Sequence, residues 1–153
     1  MSDPRLHMIA VTGIVVRDGK FLILKRSESE KAYPGMWTVP GGKVVRHEYE
    51  NLPLSANSDG WYNIVARTLE KEISEEAGIE VCDVKYLTDM AFIRPDNVPA
   101  LVLSYWCRHK NGEVKLGKDM VEHAWVTLEE AKKYQLIPGI WEELQEVEHI
   151  ASL

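Results

Sequence analysis

Apolar and β-branched residues are dense near the start of the chain, and their pattern predicts a β-hairpin. Apolar, mostly β-branched residues run from 9 to 16, the pair Asp18-Gly19 follows, and a second apolar run covers residues 21–24. Two such runs joined by Asp-Gly are typical of a hairpin in a buried sheet. The polar stretch after them, with Tyr33-Pro34-Gly35, predicts a loop.

The middle of the chain predicts one long helix after an irregular segment. Residues 49–62 follow neither a helical nor a strand period, and they are rich in turn-forming residues. Residues 63–77 carry apolar side chains at helical spacing, with Asn63 or Asp59 as a cap and Gly78 as a stop. Further predicted elements are a short strand at 37–39, a turn at Pro40-Gly41-Gly42, strands at 81–93, 100–108 and 122–127, and helices at 128–134 and 139–150.

This order of elements predicts the class of fold. Strands and helices interleave, so we expect an α/β or α+β fold in one domain that spans residues 1–153. A chain of 153 residues has room for one sizeable core and little more. The segment 49–62 is then an inserted loop within that domain.

Composition and charge exclude several classes of protein. The net charge is −6, divided into +4 over residues 1–47 and −10 over residues 48–153, which argues against a nucleic-acid polymer as partner. No apolar run approaches the roughly 18–20 residues of a membrane span, and the first residues lack a secretion signal. The two cysteines form no CxxC pair and suit reduced thiols. We therefore expect a cytoplasmic protein without a membrane partner.

Three glutamates on the long predicted helix are the sharpest chemical feature. Glu72, Glu75 and Glu76 have the spacing i, i+3, i+4, which places their carboxylates side by side on one face. Such carboxylates repel one another, and Mg²⁺ relieves this because it takes oxygen ligands from carboxylates and substrate phosphates. A solvated acidic face without a role is the alternative.

The surrounding residues resemble the Nudix box of the Nudix hydrolase family. Gly42 is followed by five residues and Glu48, and the segment 71–79 reads Lys-Glu-Ile-Ser-Glu-Glu-Ala-Gly-Ile, where the family has Arg-Glu-apolar-x-Glu-Glu-x-Gly-apolar. The preceding run 35–44 is similar to that of MutT-like members. One departure is that the whole segment 49–70 separates Glu48 from Lys71, where the family has only seven positions. Two others are Lys71 in place of an arginine, and Val45 where many members have a glutamate.

The resemblance implies a fold and a set of site residues. The fold would be an α/β/α sandwich with a mixed sheet. The cofactor would be Mg²⁺, with Mn²⁺ as a possible substitute. Glu72 or Glu75 would orient or deprotonate the attacking water. The remaining implied roles are metal ligation by Gly41, Glu72, Glu75, Glu76 and a loop acid (Asp119 or Glu122, with Glu122 preferred), substrate binding by Arg26, Gly42 and Lys43, and a structural role in the box for Gly42, Glu48, Lys71 and Gly78.

The implied function is hydrolysis of the pyrophosphate linkage of a nucleoside diphosphate derivative. A nucleoside triphosphate is the first candidate substrate, because the segment 35–44 before the box is MutT-like. The spacing from Ile79 to Pro95 resembles that of ADP-ribose pyrophosphatases, which keeps ADP-ribose and nucleotide sugars as alternatives. An inactive Nudix-like nucleotide-binding module is an alternative of another class. The partner would be a small nucleotide, and a homodimer stays open.

Overall fold

One mixed β-sheet organises the protein in the computed structural model, which describes residues 3–151. The strands pair in the order β3-β2-β1-β6-β5, while β4 pairs with β1 and β7 with β2. The pair of β1 and β6 is parallel and the other pairs are antiparallel. The strands are β1 (Met8–Arg17), β2 (Lys20–Arg26), β3 (Trp37–Thr38), β4 (Gly41–Lys43), β5 (Glu80–Ile93), β6 (Pro99–Asn111) and β7 (Met120–Val126).

Helices cover both faces of this sheet. One face packs its buried apolar residues against α1 (Ile64–Ala77), through Leu69 and Ile73. The other face packs against α2 (Leu128–Ala131) and α3 (Ile140–Ala151). The predicted α/β/α sandwich with a mixed sheet is therefore confirmed. None of the helices in residues 3–151 is long and apolar enough to cross a membrane.

The first hairpin forms as its sequence predicts. Asp18 and Gly19 join β1 to β2 with φ angles of 51° and 73°. A two-residue turn with positive φ at both central residues matches the twist of the two strands that it joins. The hairpin lies in the middle of the sheet because β1 also pairs with β6 and β2 with β7.

The predicted turn at Pro40-Gly41-Gly42 is wrong, because Gly41–Lys43 is strand β4. Gly41 pairs with Thr12 and Gly42 with Val11 on β1. A Cβ atom on Gly41 would lie 2.5 Å from the Val11 carbonyl oxygen, so glycine permits the close approach of the two backbones. The glycines thus allow the extended strand β4 to pack close to the backbone of β1.

Helix α1 begins and ends next to residues with left-handed backbone. Asn63 precedes it with φ of 63° and makes no side-chain capping bond. Asn63 therefore occupies the predicted capping position, but its side chain does not cap the helix. Gly78 ends the helix with φ of 67° and donates its N–H to the Ser74 carbonyl. Residues 49–62 contain neither helix nor strand, as predicted. Helix α2 ends at Ala131, before the predicted 134, since 132–134 form turns.

Candidate active site

A cavity of 320 Å³ lies where β4 crosses the C-terminal half of α1. We call it the carboxylate cavity. Residues from β2, β4, α1 and the start of β7 form its wall, so four separate parts of the sequence meet there. The lining residues are Arg26, Glu30, Gly41, Gly42, Lys43, Val45, Glu48, Glu72, Glu76, Asp119 and Met120.

Glu76 is held against the backbone of β4. The Gly41 N–H donates a hydrogen bond to Glu76 Oε1 at 2.9 Å. Burial raises the pKa of Glu76 to about 7, with a further contribution from Glu72, while the Gly41 N–H and Arg26 oppose it. A desolvated carboxyl next to a second one is a favourable place for a cation, because the cation supplies the missing countercharge.

Glu72 lies directly against Gly42. A Cβ atom on Gly42 would be 2.4 Å from Glu72 Cδ, so any side chain there would displace the carboxylate. Burial, and then the charge of Glu75, raise the pKa of Glu72. Gly42 therefore acts on the site by leaving room for Glu72.

Glu75 points to a different partner from its two neighbours. Lys71 Nζ lies 2.9 Å from Glu75 Oε1 and 3.3 Å from Glu48 Oε1. The hydrogen bond to Glu75 is the main cause of a raised pKa of Lys71. Glu48 thus meets Lys71 although the whole segment 49–70 separates them in the sequence. Glu75 is not among the residues that line the carboxylate cavity.

Two cationic side chains line the same cavity as the glutamates. Arg26, at the end of β2, donates from Nε to the Ala32 carbonyl and lies 3.4 Å from Glu30. Lys43, on β4, is exposed. Both residues are therefore in reach of an anionic ligand in the cavity. Gly78 lies apart from it, as the residue that ends α1.

The structure places the two candidate loop acids differently. Asp119 lines the carboxylate cavity, and its charge contributes to the raised pKa of Glu76. Glu122 pairs with Lys25 across β2 and β7, at 3.3 Å. Lys25 follows Ile23 by two residues, and Ile23 packs on the face of α3. Glu122 therefore does not meet the cavity glutamates.

Two lining residues were missed in the sequence. Glu30 lies in a polar loop, and its only signal is the spacing of four residues from Arg26, with which it pairs. Met120 opens β7 and is almost buried. The sequence indicates its neighbour Asp119 only as one of two candidate acids, because it does not show which strand face each would take.

The donor set of the cavity fits a hard divalent cation. Glu72, Glu76, Asp119 and Glu48 offer carboxylate oxygens, and Mg²⁺ prefers oxygen ligands. As placed, residues 3–151 bring no three Asp, Glu, His or Cys side chains close enough to hold a metal ion. A cation bound there would thus require rearrangement of these side chains.

The chain is similar to known proteins both in sequence and in fold. The chain matches no family model. It is 25% identical over 136 residues to the nucleoside triphosphatase NudI of Escherichia coli strain K12, covering 82% of this chain and 86% of that protein. It is 29% identical over 133 residues to a MutT-like protein of Streptomyces ambofaciens, covering 86% of this chain and 71% of that protein.

Solved structures share the fold over nearly the whole chain. A MutT Nudix hydrolase from Burkholderia pseudomallei superposes with a TM-score of 0.72 at 23% identity, covering 94% of this chain and 99% of that chain. The Nudix domain of Shewanella oneidensis NrtR, solved with ADP-ribose, gives 0.72 at 12% identity, covering 98% and 94%. These matches show the fold.

Fold and sequence together show what this chain is similar to. The resemblance to the Nudix hydrolases is confirmed by the curated relatives and by the solved neighbours. The chain resembles a nucleoside triphosphatase and a MutT-like protein in sequence, and it has the fold of the Nudix hydrolases.

Proposed function

We propose that the protein is a Mg²⁺-dependent hydrolase, one Nudix domain in extent, that cleaves the pyrophosphate linkage of a nucleoside triphosphate. The observation that carries the proposal is one cavity lined by Glu72 and Glu76 and also by Arg26 and Lys43. The carboxylates suit a divalent cation, and the two cationic side chains suit phosphate oxygens. The names of the two curated relatives, a nucleoside triphosphatase and a MutT-like protein, support the substrate class.

The residues of the chain would divide the work between binding and proton transfer. Glu72, Glu75, Glu76 and the Gly41 carbonyl would hold the metal, which supplies charge neutralisation of the phosphates when bound. Arg26 and Lys43, which line the same cavity, would orient the phosphate chain. Glu72 or Glu75 would orient the attacking water and accept its proton. Asp119, which lines the cavity, is our choice of loop acid over Glu122.

ADP-ribose is a second candidate substrate, favoured by the turn between β5 and β6. Pro95 lies in this turn, and its spacing from Ile79 resembles that of the ADP-ribose pyrophosphatases. The NrtR domain with the same fold was solved with ADP-ribose. Nucleotide sugars, which share the diphosphate linkage, belong to the same alternative.

A substrate screen tests the function directly. The purified protein would be assayed with Mg²⁺ against nucleoside triphosphates, ADP-ribose, nucleotide sugars and dinucleoside polyphosphates, with released phosphate and nucleotide products as readouts. We expect the highest kcat/KM with a triphosphate, and no turnover in EDTA. Faster hydrolysis of ADP-ribose would move the protein to the second candidate. Binding of nucleotides without any turnover would instead identify an inactive binding module.

A further inference from the structure

A second cavity lies at the N-terminal half of α1, beside the carboxylate cavity. It has a volume of 160 Å³, and the inserted segment forms one of its walls. We call it the insertion cavity. Glu48 lines both cavities, so the two meet at that residue. The lining residues are Glu48, Tyr49, Leu52, Ile64, Arg67, Thr68 and Lys71.

Hydrogen bonds within the insertion hold this wall in place. Trp61 donates its indole N–H to the Leu52 carbonyl at 2.9 Å, and its ring packs edge-on against Tyr49 at 5.2 Å between centroids. The Ser55 N–H donates to the Gly60 carbonyl, which closes the loop on itself. The wall is thus built by contacts that the segment makes with itself, and a compact loop of this kind is often functional.

Three charged side chains line the insertion cavity: Glu48, Arg67 and Lys71. Lys71 lies 3.3 Å from Glu48 and 2.9 Å from Glu75, which does not line the cavity. Arg67 makes no ion pair within the part of the chain that the structure describes, and it is exposed at the cavity. Thr68, almost buried, adds a side chain with a hydroxyl group. A guanidinium with no carboxylate partner is suited to an anion with several oxygens, above all a phosphate.

The size of the insertion cavity restricts its occupant to a single group. Sites for complete small ligands measure about 300–1,000 Å³, a range that the carboxylate cavity of 320 Å³ enters and the insertion cavity of 160 Å³ does not. Arg67 lies five to nine residues before Glu72 and Glu76, or about 8–14 Å along the axis of α1. Arg67 lines the insertion cavity and not the carboxylate cavity, so a phosphate bound there would be separate from the proposed metal site.

We propose that the insertion cavity binds a phosphate group through Arg67, next to the reaction site. The group is either a phosphate that the substrate carries away from its scissile linkage, or a phosphate group of the released product, which is pyrophosphate or phosphate according to the bond that is cut. The link to substrate or product rests on the proposed function. The binding itself does not, because Arg67 and the insertion lie outside the carboxylate cavity.

Binding is tested by titrating inorganic phosphate into metal-free protein in EDTA, at constant ionic strength, with NMR of the tryptophan indole N–H groups. Trp61 reports on the insertion cavity, since it contacts Tyr49 and Leu52. Trp141, bonded to Leu128 on the other side of the sheet, is the internal reference. We expect a saturable shift of the Trp61 signal and none of Trp141.

Two arginine variants decide whether Arg67 carries this binding. Arg67→Gln should weaken it about tenfold or more, because it removes a charge-assisted hydrogen bond. Arg94→Gln, which changes a surface arginine paired with Asp96 at the β5–β6 turn, should leave it unchanged. The proposal is overturned if phosphate causes no saturable shift of Trp61, or if Arg67→Gln binds phosphate as the wild type does.

The source of the phosphate is distinguished by kinetics. A nucleoside triphosphate and its 3′-phosphorylated counterpart would be compared as substrates of the wild type and of Arg67→Gln. A lower KM for the 3′-phosphorylated compound, lost in Arg67→Gln, identifies a substrate phosphate. Equal KM values with inhibition by inorganic phosphate or pyrophosphate, relieved in Arg67→Gln, identify the product. Absence of all turnover with intact phosphate binding would refute the proposed function and leave the binding site standing.

Discussion

The two halves of α1 line two cavities that differ in charge and in the way their walls are built. The C-terminal half presents Glu72 and Glu76 to a wall made by strand β4. The N-terminal half presents Arg67 and Thr68 to a wall made by the inserted segment. One helix thus offers two partly buried carboxylates near its C-terminal end and, near its N-terminal end, an exposed arginine that makes no ion pair with residues 3–151.

The two cavities also differ in what holds their walls in place. The carboxylate cavity depends on a strand that β1 holds in register, so its geometry is tied to the sheet. The insertion cavity depends on a loop that bonds mainly to itself, and such loops tolerate changes in length at little free-energy cost. We therefore expect changes at the first cavity to abolish turnover and changes at the second to alter ligand preference.

Removing a charge from the carboxylate cavity should have the largest effect. Glu76→Gln should lower kcat/KM about 10²–10³-fold, because a ligand of the proposed metal loses its charge. The variant should not lose stability in EDTA, since a buried carboxylate is costly to charge. Activity and thermal unfolding in EDTA are the measurements.

Matched variants show whether that loss belongs to the site. Glu70→Gln makes the same change on α1, at an exposed residue that lines neither cavity, and should keep its activity. Asp119→Asn should reduce activity and Glu122→Gln should not, since only Asp119 lines the carboxylate cavity. Loss of activity in Glu122→Gln alone would instead favour Glu122 as the loop acid.

The sequence predicts one half of this comparison better than the other, for a physical reason. The spacing of Glu72, Glu75 and Glu76 is local, and helical geometry converts it into one face. The position of Glu122 depends on pairing with Lys25, far away in the sequence, and the register shifts between Lys25 and Arg26. No local pattern contains that register.

Strand β4 and the inserted segment also have features that a local sequence pattern does not predict. A Gly-Gly pair is compatible with a turn or with a close approach of two backbones, and only the pairing with β1 decides between them. The inserted segment lacks a period, so its irregular backbone is predictable. Its cavity is not, because the contacts of Trp61 with Leu52 and Tyr49 depend on side-chain packing.

Lys71, at the junction of the two halves, should have an intermediate effect. It pairs with both Glu48 and Glu75, and Glu75 must leave it in order to bind a metal. An exposed ion pair contributes about 0–1 kcal/mol, so Lys71→Gln should lower the Mg²⁺ concentration for half-maximal activity by up to about fivefold. Lys71→Arg keeps the charge and should stay close to the wild type.

The measurement for Lys71 is activity against Mg²⁺ concentration at saturating substrate. Thermal unfolding of both variants shows whether the fold is retained. An unchanged or higher Mg²⁺ requirement in Lys71→Gln would argue against Glu75 as a ligand. It would also restrict the metal to the glutamates that line the carboxylate cavity, Glu72 and Glu76.

Glu143, on the face of the sheet opposite α1, should show the smallest effect, on stability alone. Its Oε1 atom is buried without a hydrogen-bond partner among residues 3–151. Burial raises the pKa of Glu143, Glu142 adds to this, and Ser104 opposes it. The pKa of Glu143 is higher in the folded state than in the unfolded state. Its effect on the free energy of unfolding is therefore most favourable at low pH and becomes less favourable as pH rises above about 4.5. Glu143→Gln should therefore raise the free energy of unfolding at pH 7 by about 1 kcal/mol and flatten its pH dependence.

Glu146, an exposed residue on α3, provides the control for Glu143. The effect of Mg²⁺ on stability then separates Glu143 from the glutamates of α1. Glu146→Gln changes an exposed residue and should leave the pH dependence of the free energy of unfolding unaltered. Mg²⁺ should add the same stabilisation to the wild type and to Glu143→Gln, because that carboxyl lies across the sheet from α1. In Glu76→Gln this stabilisation should largely disappear. If Mg²⁺ stabilised Glu76→Gln as much as the wild type, the cation would bind elsewhere, and the division of α1 into a metal-binding half and an anion-binding half would be wrong.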